Sequence, residues 1–133
     1  MGTKFLIQEM ITMKKIIMVV DDDKVYSTLI PFILKGEGFK VIVCEDGTEA
    51  LQKFDEEPPN LVLLDINMPH IDGFEVCSAI KTRADTKSIP VIMTTSSDMM
   101  GDIEKAFEVG AEEYLVKPFD KEKLLKMIHK HIG

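Results

Sequence analysis

Apolar residues in this chain gather into short continuous runs, separated by longer stretches in which they recur every three or four positions. Ile16-Ile17-Met18-Val19-Val20, Leu61-Val62-Leu63-Leu64, Val91-Ile92-Met93 and Tyr114-Leu115-Val116 are four such runs. Runs of that length bounded by polar residues fit strands buried on both faces, and the amphipathic stretches between them fit crossover helices. The pattern predicts strands near 15–20, 40–44, 61–64, 91–94 and 113–116, each followed by a helix.

The helices carry their own punctuation. The first, over about 23–35, has Val25, Leu29, Phe32 and Ile33 as its expected inward face and stops at Lys35-Gly36. Pro31 removes a backbone donor and crowds the preceding turn, which predicts a kink or a break near Ser27. The second opens at Asp46 with Glu49 three residues on, turns Ala50, Leu51 and Phe54 inward, and is stopped by Pro58-Pro59. The third opens at Asp72-Gly73 and buries residues from among Phe74, Val76, Cys77 and Ile80. The fourth starts weakly at Gly101, with Met99-Met100 exposed and Ile103, Ala106 and Phe107 inward, and Gly110 ends it. The fifth follows Asp120, with Leu124, Leu125 and Ile128 inside and His129, Lys130 and His131 near its negative end. Five strand-helix units with right-handed crossovers give an α/β three-layer sandwich. Its expected order is the flavodoxin-like 2-1-3-4-5, which sets strands one and three side by side.

Chemistry sits at the C-terminal ends of these runs. The first leads into Asp21-Asp22-Asp23, the third strand into Asp65, the fourth into Thr94-Thr95-Ser96 and the fifth into Lys117. Ligands of open parallel sheets bind outside those strand ends, so carboxylates, a hydroxyl and an ammonium should converge in one crevice. Three carboxylates brought together repel one another, and a divalent cation with a preference for hard oxygen ligands, magnesium or manganese, relieves the repulsion. A carboxylate can also attack phosphorus, given neutralised equatorial oxygens, for which Lys117 and the Thr95 hydroxyl are suited.

At 133 residues the chain fits one domain with a core of its own. A formal net charge of −7 argues against a nucleic-acid surface, and no apolar stretch is long enough to span a membrane. Cys44 and Cys77 lack metal-site spacing and are expected as reduced thiols of a cytoplasmic protein. Met13-Lys14-Lys15 has the look of a domain start. Residues 1–13 are therefore expected as an N-terminal extension, either an artificial leader or a natural appendage, before a domain at 14–133.

Taken in order, Val19-Val20-Asp21-Asp22-Asp23, Leu63-Leu64-Asp65-Ile66-Asn67-Met68-Pro69 with Asp72-Gly73, Thr95-Ser96, and Tyr114-Leu115-Val116-Lys117-Pro118-Phe119 resemble the CheY-like receiver domain of two-component response regulators. The resemblance covers essentially all of 14–133. It implies Asp65 as phosphoacceptor and direct metal ligand, Asp22 as a second direct ligand, Asp21 as a ligand through water, and the backbone carbonyl of Asn67 as a further one. It implies Thr95 as switch hydroxyl, Lys117 as ionic partner of the phosphoryl group, Tyr114 as an aromatic rotamer switch, Ser96 as a backbone N–H donor, and a cis Lys117-Pro118 bond. Asn67 and Ser97 fall where family members differ and adduct lifetime is tuned. A sensor histidine kinase or histidine phosphotransfer protein is the implied donor. The implied readout is the surface of the fourth helix, fifth strand and fifth helix, addressed to a separate protein or an attached effector. Such a domain is a phosphoacceptor rather than a turnover enzyme.

Competing readings are narrower. Val20-Asp21-Asp22-Asp23-Lys24-Val25 also fits the haloacid-dehalogenase phosphatase pattern, with Asp21 as nucleophile and Asp23 as acid, but no acid pair follows the fourth strand and no cap domain is visible. A binding module that keeps the fold without the chemistry would have lost acids or the lysine, and all are present. Asp23 is read as a helix cap, Glu45 and Asp46 likewise, His70 as a solvated loop residue, and His129 with His131 as no metal pair, since residues two apart do not share a helix face.

Overall fold

The computed structural model describes residues 14–133; the expected extension at 1–13 lies outside the described residues. The strands form where the apolar runs predict them: β1 Ile16–Val20, β2 Lys40–Cys44, β3 Leu61–Leu64, β4 Val91–Thr95 and β5 Glu113–Val116. All neighbours pair in parallel, in the order β2-β1-β3-β4-β5. Alternate residues feed two cores. Met18, Val20, Val62, Leu64, Val91 and Met93 face one side of the sheet, while Ile17, Val19, Leu61, Leu63, Ile92 and Leu115 face the other. Burial on both faces is why these strands read as unbroken apolar runs rather than alternating ones.

Helices α1 Tyr26–Gly36 and α5 Lys121–Ile132 cover one face; α2 Gly47–Glu56, α3 Gly73–Lys81 and α4 Met100–Glu108 cover the other. Three of them begin with the expected carboxylate cap: Asp46 accepts from the Glu49 N–H, Asp72 from that of Glu75, and Asp120 from that of Lys123. Glu49 reaches back to the Glu45 N–H at 3.1 Å, one residue ahead of the usual capping-box partner. Gly110 ends α4 at φ 104°.

The first helix departs from expectation in three respects. It starts at Tyr26, and it runs unbroken through Pro31, which falls in its second turn and so has little helix ahead of it to disrupt. Its buried residues are Ile30, Pro31 and Leu34, whereas Val25, Leu29 and Phe32 are exposed, Phe32 by 77%. Six consecutive residues, Leu29 to Leu34, are apolar, so spacing alone does not select the inward side; packing on Ile17 and Val19 does. The helix ends at Gly36, as expected, and the left-handed residue beyond that end is Gly38, φ 91°. In α4, Ala106 is fully buried and Ile103 half-buried, but Phe107 is largely exposed rather than inward. Cys44 and Cys77 are free and fully buried, and burial raises their thiols to about 12 and about 11.

Gly73 is where the fold and the strand ends meet. A Cβ there would overlap the Asp65 carbonyl oxygen and lie 2.8 Å from the Ile66 Cα, both backbone atoms that cannot swing away. Gly101, by contrast, has open space around its Cβ direction. Urea unfolding should therefore separate the two: Gly73→Ala is expected to lose about 2 kcal/mol or more by overpacking. Gly101→Ala, in the first turn of α4, is expected to gain about 0.5–1 kcal/mol.

Candidate functional site

Strand register assembles the site. Val20 pairs with Leu64, so the next residues, Asp21 and Asp65, emerge side by side. Thr95 pairs with Val116, and Lys117 follows it. Each of the three charged residues is pinned by a last ladder hydrogen bond: Asp21 N–H to the Cys44 carbonyl at 3.1 Å, Asp65 N–H to that of Val20 at 2.9 Å, Lys117 N–H to that of Thr95 at 2.7 Å. Crossover connections place β1 and β3 next to each other, which is the switch point where such sheets open a crevice.

Within it, carboxylate oxygens of Asp21, Asp22 and Asp65 lie within 4.8 Å of one another. Asp21 and Asp65 are buried and Asp22 is exposed at the mouth. Lys117 Nζ donates to Asp21 Oδ2 at 2.7 Å and, over a longer contact of 3.4 Å, to Asp65 Oδ2. The other oxygens are also engaged: Asp21 Oδ1 accepts from the Asp23 N–H at 2.9 Å and Asp65 Oδ1 from that of Asn67 at 3.2 Å. One ammonium thus faces three carboxylates. Burial pushes the Asp65 carboxyl up to about 6; the Asp21 charge adds to this, while Lys117 and the Asn67 N–H pull the other way. For Lys117, burial works to lower the pKa, but the Asp21 hydrogen bond and both carboxylate charges outweigh it and hold it above the ordinary lysine value.

The remaining expected residues line the adjacent loops. Thr95 is fully buried at the end of β4, its hydroxyl oxygen accepting from the Ser97 N–H at 3.3 Å. Tyr114, half-buried on β5, donates its hydroxyl to the Ser97 carbonyl at 2.8 Å. Ser96 is exposed, and Ser97 Oγ donates to Asp102 Oδ2 at 2.6 Å. Lys117-Pro118 is cis. His70 is exposed in a left-handed conformation, φ 70°, in the loop after Asp65. Asp23 spends one carboxylate oxygen on the N–H groups of Val25 and Tyr26, at 2.8 and 3.1 Å, which makes it the cap of the turn into α1 and not a free acid beside Asp21. Two neighbours were not foreseen from sequence: Asp102, which ties the β4–α4 loop through Ser97, and Tyr26, whose ring lies against Lys117. Neither belongs to a motif; the Tyr26 contact joins separate elements, and the Asp102 contact joins the first turn of α4 to the loop before it.

Hard oxygen donors clustered this closely, with one of them exposed at the mouth, have the chemistry to hold a small divalent cation. No helix among the described residues is long and apolar enough to cross a membrane.

Residues 17–129 match the response regulator receiver domain family. The chain is 42% identical over 116 residues to protein PilG of Pseudomonas aeruginosa, covering 87% of this chain and 86% of PilG. It is 38% identical over 117 residues to the DNA-binding response regulator MtrA of Mycobacterium tuberculosis, covering 88% of this chain and half of MtrA. Among solved structures, the receiver domain of sensor histidine kinase PA1611 from P. aeruginosa, with magnesium coordinated in its active-site cleft, superposes with a TM-score of 0.84 at 28% identity, over 90% of this chain and 98% of that one. The manganese-bound form of response regulator Rcp1 gives 0.76 at 34% identity, over 87% and 90%. A parallel sheet in the 2-1-3-4-5 order, an acidic crevice at its switch point and a family match across nearly all the described residues agree: the chain belongs to the response regulator receiver domains, the phosphoacceptor modules of two-component signalling.

Proposed function

We propose that Asp65 accepts a phosphoryl group from a phosphohistidine and that Lys117, Thr95 and Tyr114 convert the new charge into a change of surface. The observation that carries this reading is the geometry at the end of β3: a buried carboxylate 3.4 Å from the only ammonium in the crevice among the described residues, and within 4.8 Å of two further acids. Family membership implies a histidine kinase upstream. A histidine phosphotransfer protein would present the same phosphoimidazole.

In the transfer, a carboxylate oxygen of Asp65 forms a bond to phosphorus as the phosphorus–nitrogen bond breaks, and the imidazole nitrogen leaves with the electron pair. Asp22, Asp65 and the Asn67 carbonyl would hold a magnesium or manganese ion, with Asp21 acting through water; its charge, when bound, offsets that of the carboxylates and the phosphoryl oxygens. A relative with magnesium coordinated in its active-site cleft, and a second one in a manganese-bound form, support that assignment. Lys117 supplies a fixed positive charge on the opposite side. The Thr95 hydroxyl, now held by one 3.3 Å contact, is free to offer its proton to a phosphoryl oxygen, and the Ser96 N–H would be a second donor. Movement of Thr95 loosens Ser97, whose carbonyl anchors Tyr114, so the disturbance reaches α4 and β5 through adjacent hydrogen bonds, and β5 is tied in turn to α5 by Glu113 with Lys130 and His131. The phosphoryl group selects between conformers in proportion to its differential contacts. Water attacking phosphorus then returns the carboxylate. A protein or effector recognising the α4-β5-α5 face receives the signal; the −7 charge gives nucleic acid no direct role.

The phosphatase reading gains nothing from this geometry, since Asp23 caps a turn and Asp21 is locked to Lys117. Incubation with acetyl phosphate and magnesium should add one phosphoryl group by intact mass, lost in Asp65→Asn and kept in Asp23→Asn. Sustained phosphomonoester turnover that survives Asp65→Asn and dies with Asp21→Asn would reverse the assignment.

A crevice with excess negative charge costs stability. A carboxyl whose folded pKa of about 6 exceeds its unfolded value opposes folding once ionised. Asp65 therefore favours the native state most below about pH 4, loses that contribution as pH rises through about 6, and imposes a constant penalty above. Without divalent ions at pH 7, Asp65→Asn should be more stable than the parent by roughly 1–3 kcal/mol in urea unfolding. The gap should close as pH falls from 6 towards 4; a gap that stays constant would refute the strained-carboxylate account.

A further inference from the structure

Lys117 Nζ lies 4.4 Å from the centroid of the Tyr26 ring, over its face. Tyr26 opens α1, and its ring is stacked with that of Phe119, centroids 5.6 Å apart at 30°. Phe119 stands two residues after Lys117, so one loop supplies both the cation and the ring that steadies its aromatic partner. Asp21 and Asp65 take two sides of the ammonium, at 2.7 and 3.4 Å, and the Tyr26 face takes a third. That third side has a distinct job. The lysine ammonium is a compact charge on a flexible stem, and an electron-rich ring face attracts it while excluding the water that would otherwise draw it outward. The Lys117 side chain is accordingly only 6% exposed, although it sits beside a crevice open at Asp22.

We propose that Tyr26 is a positioning residue for phosphorylation: its ring face confines the Lys117 ammonium between Asp21 and Asp65, so that the positive charge is in place before charge builds on the transferring phosphoryl oxygens. A donor already aimed at the developing charge needs no reorganisation at the moment of reaction. The inference rests on Asp65 being the acceptor. It assigns the effect to the ring face and not to the hydroxyl, so phenylalanine should substitute and leucine, apolar but without a quadrupole, should not.

The test compares the parent, Tyr26→Phe and Tyr26→Leu in three measurements: the rate of Asp65 modification by acetyl phosphate at saturating magnesium, magnesium affinity without the donor, and the proton shifts of the Lys117 side chain, which a ring face moves upfield. Tyr26→Leu is expected to slow modification about 3- to 10-fold and abolish the upfield shift. Tyr26→Phe should keep both within about two-fold of the parent, and magnesium affinity should stay within about two-fold in each variant. A leucine variant as fast as the parent, a phenylalanine variant as slow as leucine, or a leucine variant whose magnesium binding falls in step with its rate would overturn the role, the last by showing that the ring merely supports the fold. If the parent itself is not modified at Asp65, the functional assignment falls as well, whereas failure of the Tyr26 role alone leaves the parent adduct intact.

Discussion

A single lysine holds the working end of this molecule together. Lys117 Nζ bridges Asp21 from β1 and Asp65 from β3, and its own backbone N–H closes the ladder to β4. Side chains this deeply placed cannot leave charges unanswered, because removing one partner would strand the others in a poorly solvated pocket. The ion cluster therefore ties the ends of β1, β3 and β5 to one level. It is also unbalanced, with more carboxylate than ammonium charge. That imbalance is what a divalent cation and a phosphoryl group can act upon.

Much of this was legible along the chain, for a physical reason. Parallel strands buried on both faces must be continuous apolar runs, and Val19-Val20-Asp21 and Leu63-Leu64-Asp65 mark where burial stops and the site begins. The caps at Asp46, Asp72 and Asp120 were equally readable, since a carboxylate before a helix has a local partner three residues on. What the pattern could not resolve was orientation where apolar residues ring a helix. In α1 the choice of Ile30 and Leu34 over Leu29 and Phe32 belongs to the sheet beneath, not to the helix. Tyr26 escaped for a related reason: its contact with Lys117 joins separate elements, and nothing in its immediate sequence signals the partner.

Between crevice and surface runs a short chain of hydrogen bonds, from Thr95 through Ser97 to Tyr114 and to the Asp102 carboxylate. Each is modest by itself. Their sharing of Ser97 is what matters, because one residue then sets the position of a strand end, an aromatic ring and the first turn of α4. Gly73 plays the complementary part at the other wall. By lacking a side chain, it allows the start of α3 to abut the Asp65 and Ile66 backbone at that wall.

Among the described residues, sulfur atoms are placed just as unevenly. Cys44 and Cys77 are sealed in the core with their thiolates suppressed, whereas Met99 and Met100 stand 69% and 67% exposed where α4 begins. Peroxide reaching this protein would thus meet thioethers before it met a reactive cysteine. The resulting sulfoxides would add polar, chiral groups to the exposed start of α4, so oxidative injury would alter the surface there before it disturbed the core.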